Sequence, residues 1–367
     1  MSTPHLLMLA GTRPEALKIA PLADTLRMPL RWCWSGQQSV LPTDVAHLPW
    51  QVFPSLQHPM RRPALVDALR NRLVQGLLAQ STAAILVQGD TATAYAGALA
   101  GQHLGIPVIH LEAGLRSGNH RAPFPEEIYR RRISAIAGLH LAPSALAKRN
   151  LLLEGIDPSH IACVGSTAID RLPPPRHRSK TFDLLVDVHR RENFGRPMQR
   201  LAQSLQRLVD RGLRIALAGP LNPLWASRMQ TLPPEVRRLP PMHREQWIET
   251  LASSKLVLSD SGGAAEELPY LGIPLLAFRR ATERPEPLIS GHARQLHPDA
   301  EDMVEAIDAA MRWAATPMPA FARHDASPYG GGRAAEKAAH AIERFLHRPP
   351  AIDSRTAAHD YHLDATQ

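Results

Sequence analysis

Leu6-Leu7-Met8-Leu9-Ala10 runs straight into Gly11-Thr12-Arg13-Pro14-Glu15-Ala16-Leu17-Lys18. The short apolar run reads as a buried strand. Gly11 supplies a sharp turn, and Pro14 suits the first turn of a helix that the pattern carries to about Arg27. Similar units recur along the chain. Strands are expected at Arg31 to Ser35, Ala83 to Val87, Pro107 to Ala113, Leu139 to Ala142, Ile161 to Val164, Phe182 to Val188, Arg214 to Ala218, Lys255 to Ser259 and Pro274 to Phe278, with helical stretches between them. Such alternation implies right-handed crossovers and parallel sheets buried on both faces.

The length of 367 residues fits two or three domains at roughly 150 residues each. Pro173-Pro174-Pro175 can continue neither a helix nor a central strand, and Arg176 to Lys180 follows it as a polar run. The expected division is an N-terminal α/β domain over 1–172, a linker over 173–180 and a second α/β domain over 181–331. A helix over 332–348 is free to pack back on the first domain, and 349–367 reads as a flexible tail. The fold class is α/β, with two Rossmann-like domains whose parallel sheets face a central cleft. Ligands of such sheets lie outside the carboxyl ends of the strands, so the cleft is the expected site.

Composition narrows the function. Hydrophobic residues make up 44% and charged residues 21%, which is ordinary globular usage and excludes collagen-like, coiled-coil and wholly disordered classes. No apolar run approaches the ~20 residues of a membrane span. Gly11 follows too soon for a cleavable leader, so the expectation is a cytoplasmic protein with no membrane partner. The formal charge of +8 favours anionic partners. Aromatic residues are only 5%, and no recognition motif is present, which argues against nucleic acid. The two cysteines, Cys33 and Cys163, can form neither a disulfide framework nor a zinc site alone, and both read as buried thiols.

The chemistry-bearing residues fall at strand ends. The helix after Gly11 offers free N–H groups to an anion, with Arg13 and Lys18 close by, although a plain turn with two solvated cations has the same spacing. The stretch is neither a Walker A loop nor a GxGxxG turn. Asp90 ends one strand, Glu112 ends the next, and Glu126 opens a helix with Arg130 one turn on. A single acid at such a place is most simply a cap or a surface pair. Three in consecutive βα units look like proton-transfer groups beside a basic pocket. In the second half, His189 follows a strand, and Ser261-Gly262-Gly263 lets a helix N-terminus approach a diphosphate. Glu266 and Glu267 in that helix's first turn suit the helix dipole or a ribose. Thr282 to Glu286 reads as a charged loop.

Taken in order, Gly11 to Lys18, Gly89-Asp90-Thr91, His110 to Arg116, Pro125-Glu126-Glu127 with Arg130, His189 to Asn193, Ser259 to Gly263 with Glu266-Glu267, Thr282 to Glu286 and Pro328-Tyr329-Gly330 resemble the non-hydrolysing UDP-N-acetylglucosamine 2-epimerases. The resemblance spans positions 11 to 330. It implies a GT-B-like fold, a UDP-sugar in the cleft, a homodimer, and no metal or nicotinamide cofactor. It further implies interconversion of UDP-GlcNAc and UDP-ManNAc by elimination of UDP to 2-acetamidoglucal and re-addition on the opposite face. On this basis Asp90, Glu112 and Glu126 are the catalytic carboxylates. His189 and Arg13 support the departing diphosphate, with Lys18 and Arg130 beside them. Ser261, Gly262 and Gly263 hold phosphates, and Glu267 binds ribose. A product of this kind would feed a surface polysaccharide.

The chain departs from the family at four places. Gly36-Gln37-Gln38-Ser39-Val40-Leu41 keeps only the first glutamine of the usual segment. Pro220 replaces a histidine, Asp187 stands where a small residue or threonine is usual, and Ala265 replaces a glutamine. In bacterial members the first two segments help bind a second UDP-GlcNAc as an activator, and Val40 and Pro220 cannot supply those hydrogen bonds. The expectation is an enzyme without that activation. The competing readings are a hydrolysing epimerase, an epimerase of a modified UDP-aminosugar, a GT-B glycosyltransferase and an inactive UDP-sugar sensor.

Overall fold

Thirteen strands in the described residues form two all-parallel sheets. The structure, a computed structural model, describes residues 4–56, 62–77, 81–119, 122–173, 179–219, 233–317 and 327–347. The first sheet contains β1 (His5–Ala10), β2 (Leu30–Trp34), β3 (Trp50–Val52), β4 (Thr82–Gln88), β5 (Val108–Leu111), β6 (Leu139–Ala142) and β7 (Ile161–Cys163), in the order β3-β2-β1-β4-β5-β6-β7. The second contains β8 (Phe182–Asp187), β9 (Ile215–Leu217), β10 (Arg237–Arg238), β11 (Ser254–Ser259), β12 (Leu275–Phe278) and β13 (Ala293–Leu296), in the order β10-β9-β8-β11-β12-β13. Each is a doubly wound sheet of Rossmann type, and together they make the GT-B-like α/β architecture. Strand order reverses between β1 and β4 and again between β8 and β11. These are the switch points where such sheets open a crevice for ligand.

The helices are α1 (Arg13–Ile19), α2 (Arg62–Leu77), α3 (Ala92–Leu104), α4 (Glu126–Ile136), α5 (Ala145–Leu153), α6 (Arg196–Asp210), α7 (Arg244–Ala252), α8 (Gly262–Leu271), α9 (Glu286–Ile289), α10 (Met303–Ala314) and α11 (Ala334–His347). Central strands are apolar on both faces because helices cover both. Leu6 and Met8 of β1 pack with α1 and α11, while Leu7 and Leu9 pack with α2 and α3. Ala338, Ile342 and Phe345 of α11 belong to that first core, so the chain's last described helix lies on the first sheet. In the second sheet, Leu184 and Val186 face α6 and α10, and Leu185 faces α8.

Some expectations need correction. The first helix stops at Ile19 and continues as a 3-10 turn over Ala20–Asp24, where Pro21 has no N–H to extend the α-helical ladder and crowds the preceding turn. Strands β3, β10 and β13 lack the apolar run that marked the others. All three lie at sheet edges, and the first two are largely exposed. Cys33 is buried as expected, but Cys163 ends the edge strand β7 and is exposed. Pro174 to Arg178 of the expected linker, Pro220, and the expected tail lie outside the described residues. No helix among the described residues is long and apolar enough to cross a membrane.

Candidate active site

The β1–α1 turn is built around a buried acid. Glu15 accepts the Gly11 N–H at 3.0 Å and the Thr91 hydroxyl at 2.5 Å, tying the turn after β1 to the turn after β4. Burial pushes its carboxyl up to about 7, against the pull of those hydrogen bonds. Arg13 and Lys18 leave α1 toward different partners. The Arg13 guanidinium pairs with Asp44 at 2.6 Å, and the Arg13 backbone N–H donates to Gln38 Oε1 at 3.1 Å. Lys18, one turn further along α1, is buried and reaches across to the other domain.

Asp90 follows β4, and its carboxylate pairs with Arg130 of α4. Burial works to raise the Asp90 carboxyl, but the Arg130 guanidinium outweighs it and holds the group below the ordinary carboxylate range. Arg130 is fixed in turn by Glu127 at 2.9 Å. Fully buried His110 of β5 meets the Gly89 carbonyl through Nε2 at 2.9 Å. A carbonyl only accepts, so Nε2 carries the proton. Burial lowers this imidazole to about 3, which keeps it neutral as a prop for the Asp90 turn.

Glu112 follows β5 at φ 68°, left-handed backbone that non-glycine residues seldom adopt. Such strain persists where surrounding contacts over-determine it. Here the carboxylate is gripped by Lys18, by Arg284 and by Gln88 Nε2 at 2.8 Å. Glu126 is the first residue of α4 and is partly exposed.

From the second domain, Glu266 and Arg284 complete the cluster. Glu266 is fully buried and accepts from Lys18 at 3.1 Å, Arg284 Nε at 2.6 Å and the Ser166 hydroxyl at 2.5 Å. Burial would raise Glu266, but Lys18 and Arg284 bring it down to about 2. Glu112 goes the other way. Burial lifts it, and the nearby Glu266 charge adds to the lift that the two cations only partly cancel. Arg284 also pairs with Glu283, which binds Arg279 at 2.8 Å. A Cβ at Gly262 would stand 2.8 Å from Arg284 Nη1, so glycine at the start of α8 makes room for this guanidinium.

Around the cluster, Ser261 is the N-cap of α8, and Gly262 and Gly263 form its first turn. Glu267 turns away from Glu266 and pairs with Arg244 of α7 at 3.1 Å. His189 follows β8, and Asp260 accepts its backbone N–H at 3.0 Å. The structure thus brings Lys18, Glu112 and the Asp90–Arg130 pair together with Glu266 and Arg284. It sets Arg13 aside on Asp44.

Sequence reasoning passed over Glu266, Glu283 and Arg284 as members of the centre. The signal for Arg284 was a charged loop right after a buried strand. For Glu266 it was two adjacent acids in one helical turn, which must face different ways.

Residues 67–343 match the family model described as UDP-N-acetylglucosamine 2-epimerase. A Bacillus subtilis protein named UDP-N-acetylglucosamine 2-epimerase is 34% identical over 323 residues, covering 80% of this chain and 84% of that protein. An Escherichia coli K12 protein of the same name is 30% identical over 370 residues, covering 92% and 98%. Among solved structures, the Neisseria meningitidis UDP-GlcNAc 2-epimerase bound to UDP-GlcNAc superposes with a TM-score of 0.80 at 27% identity, covering 93% of this chain and all of that one.

Proposed function

The chain belongs to the UDP-N-acetylglucosamine 2-epimerase family, and we propose that it interconverts UDP-GlcNAc and UDP-ManNAc by anti elimination and re-addition of UDP. The observation that carries this reading is the cross-domain cluster in which Lys18 and Arg284 are shared by Glu112 and Glu266, next to the Asp90–Arg130 pair. It puts cations and carboxylates at the carboxyl ends of both sheets, where a diphosphate and a sugar ring need them.

In the forward direction a carboxylate removes the C2 proton. The C–H electron pair becomes the C1–C2 double bond of 2-acetamidoglucal, and the C1–O bond breaks with its electrons passing to the β-phosphate oxygen. Re-addition reverses these steps with the proton delivered to the other face. Two faces need two acid–base groups whose proton affinities differ. Asp90, held ionised by Arg130, and Glu112, pushed up by burial and Glu266, suit that division, with Glu126 as the third carboxylate. An incoming diphosphate competes for Lys18 and Arg284. As they turn to the phosphates, Glu112 loses the charges that keep it ionised and becomes a stronger base.

His189 and Arg13 support the departing UDP, Arg13 after leaving Asp44. The α8 N-terminus at Ser261, Gly262 and Gly263 receives the phosphates, and Glu267 is the ribose acid. Domain closure keeps the glycal from water, so the product leaves as a UDP-sugar and not as the free sugar of a hydrolysing enzyme. The enzyme acts as a cytoplasmic homodimer supplying a surface polysaccharide. Val40, exposed in the altered segment after β2, has no side-chain polar atom to offer a second UDP-GlcNAc, which supports an enzyme without that activation.

Proton NMR of the protein with UDP-GlcNAc in D₂O tests the reading. UDP-ManNAc with deuterium at C2, formed with hyperbolic dependence on UDP-GlcNAc, is expected. Free ManNAc and UDP would establish hydrolysis instead. Inertness toward both UDP-sugars would sink the proposal in favour of a modified aminosugar, glycosyl transfer or sensing.

A further inference from the structure

Asp187 is the last residue of β8, and it pairs in register with Ser259 of β11 at the second sheet's switch point. Residues two apart on an extended chain point the same way, so Asp187 and His189 lie side by side. Asp187 Oδ1 is 3.3 Å from His189 Nδ1, and its Oδ2 accepts the Ser259 hydroxyl at 2.8 Å. The carboxylate is mostly buried, whereas the imidazole is half exposed.

Asp260 has a different task. It is fully buried, and its oxygens accept the N–H groups of His189 and Arg190 and the Asn193 amide at 2.8 to 3.2 Å. It lies 3.6 Å from His189 Nδ1, beyond hydrogen-bond reach. Asp260 therefore fixes the loop, and Asp187 is the acid that meets the ring.

We propose that Asp187 is a positioning residue whose carboxylate holds the Nδ1–H of His189, so that Nε2 faces the departing diphosphate as a charged N–H donor. This rests on the reading of the site as one that expels UDP. An acid on one ring nitrogen fixes the tautomer and ring orientation and raises the basicity of the other nitrogen. Without a charge on the ring, Nε2 would present a lone pair to the phosphate. The charged groups facing the ring are Asp187 from β8, Asp260 from the turn after β11, and Arg190, whose guanidinium lies 3.9 Å from both Glu192 and Glu283. Burial disfavours the imidazolium, but the Asp187 hydrogen bond and charge, with Asp260 behind them, more than offset burial and Arg190.

The test uses the full chain with Asp187→Asn and Asp187→Thr, the His189 ring resonance being assigned by its loss in His189→Asn. NMR titration should show the His189 midpoint falling in both Asp187 variants. Calorimetry with UDP should show about tenfold weaker binding by the variants between their His189 midpoint and that of the wild type, and near-native binding below the variants' midpoint, the loss of one charge-assisted hydrogen bond. A lower melting temperature with an unmoved His189 titration would make Asp187 a strand-end tie only and overturn the proposal. If neither variant folds, the wild-type titration decides, because a midpoint at or below that of an exposed histidine also overturns it. A His189 titration that responds to Asp187 in a protein without epimerase activity would leave the pair standing and remove the reaction. Active enzyme whose His189 ignores Asp187 would remove the pair alone.

Discussion

Lys18 Nζ, on the helix after β1, lies 3.1 Å from Glu266 Oε1, on the helix after β11. The contact joins the two switch points of two separate sheets. Both groups are nearly removed from water, Lys18 at 11% side-chain exposure and Glu266 at zero. Neither could be buried alone at tolerable cost. Glu112, Glu266, Lys18 and Arg284 balance as two acids and two bases, and an anionic ligand must be accommodated by rearranging that balance.

Removing Lys18 should therefore be costly. Lys18→Met leaves two buried acids sharing Arg284, and the expected loss at neutral pH is about 3–5 kcal/mol, the usual penalty for stranding a buried charge. Adding Glu266→Gln should recover part of it, with a coupling of about 0.5–3 kcal/mol. Urea unfolding of the four proteins in this cycle measures it. Strictly additive losses would show that the contact carries no energy.

Asp90→Asn should separate chemistry from stability. The change leaves Arg130 with Glu127 at 2.9 Å and Glu283 at 4.0 Å, so no charge is stranded and the fold should survive. Loss of a proton-transfer group costs about 10²–10⁴ in rate. Deuterium incorporation at C2, followed by NMR beside a melting curve, checks both halves. Unchanged turnover would remove Asp90 from the chemistry.

The same residues show what the sequence could tell. Strand ends were legible because central parallel strands are continuous apolar runs that stop at glycine or polar residues, and the ends of β4, β5 and β8 carry Asp90, Glu112 and His189. Edge strands such as β10, Arg237–Arg238, bury little and leave no such mark. The cross-domain partners were not legible. Glu266 and Arg284 read as a helix-dipole acid and a loop cation because the groups that engage them lie as far as 248 and 172 residues away. Arg13 illustrates the opposite case. Its position beside the turn was legible, but its side chain follows Asp44, which no local pattern connects to it.

Gly11→Ala should damage the turn without touching a charged group. An added Cβ would lie 2.1 Å from Thr93 Oγ1 and 2.3 Å from Ser35 Oγ. Those hydroxyls are bonded to each other at 2.7 Å, and Thr93 also meets Gln37 Oε1 at 2.8 Å, so neither can swing aside freely. Overpacking of this kind costs about 1–3 kcal/mol. A drop in urea midpoint with an unchanged slope is expected. Native stability would mean that the turn shifts to make room.

Glu15 gives a pH dependence of defined sign. Its carboxyl sits at about 7 in the folded chain against an ordinary value of 4.5, so the folded state binds more protons between those two pH values. Stability from this group is then highest below about 4.5, falls as pH rises to about 7, and is level beyond, a change on the order of 3 kcal/mol. Glu15→Gln retains an acceptor for the Gly11 N–H and places an amide donor toward Thr91, as the protonated acid would. The variant should match the wild type at pH 5 and exceed it in unfolding free energy at pH 8. A difference that does not change between those two pH values would mean that Glu15 is already ionised at pH 5, held so by its three neighbours, Gly11, Thr12 and Thr91.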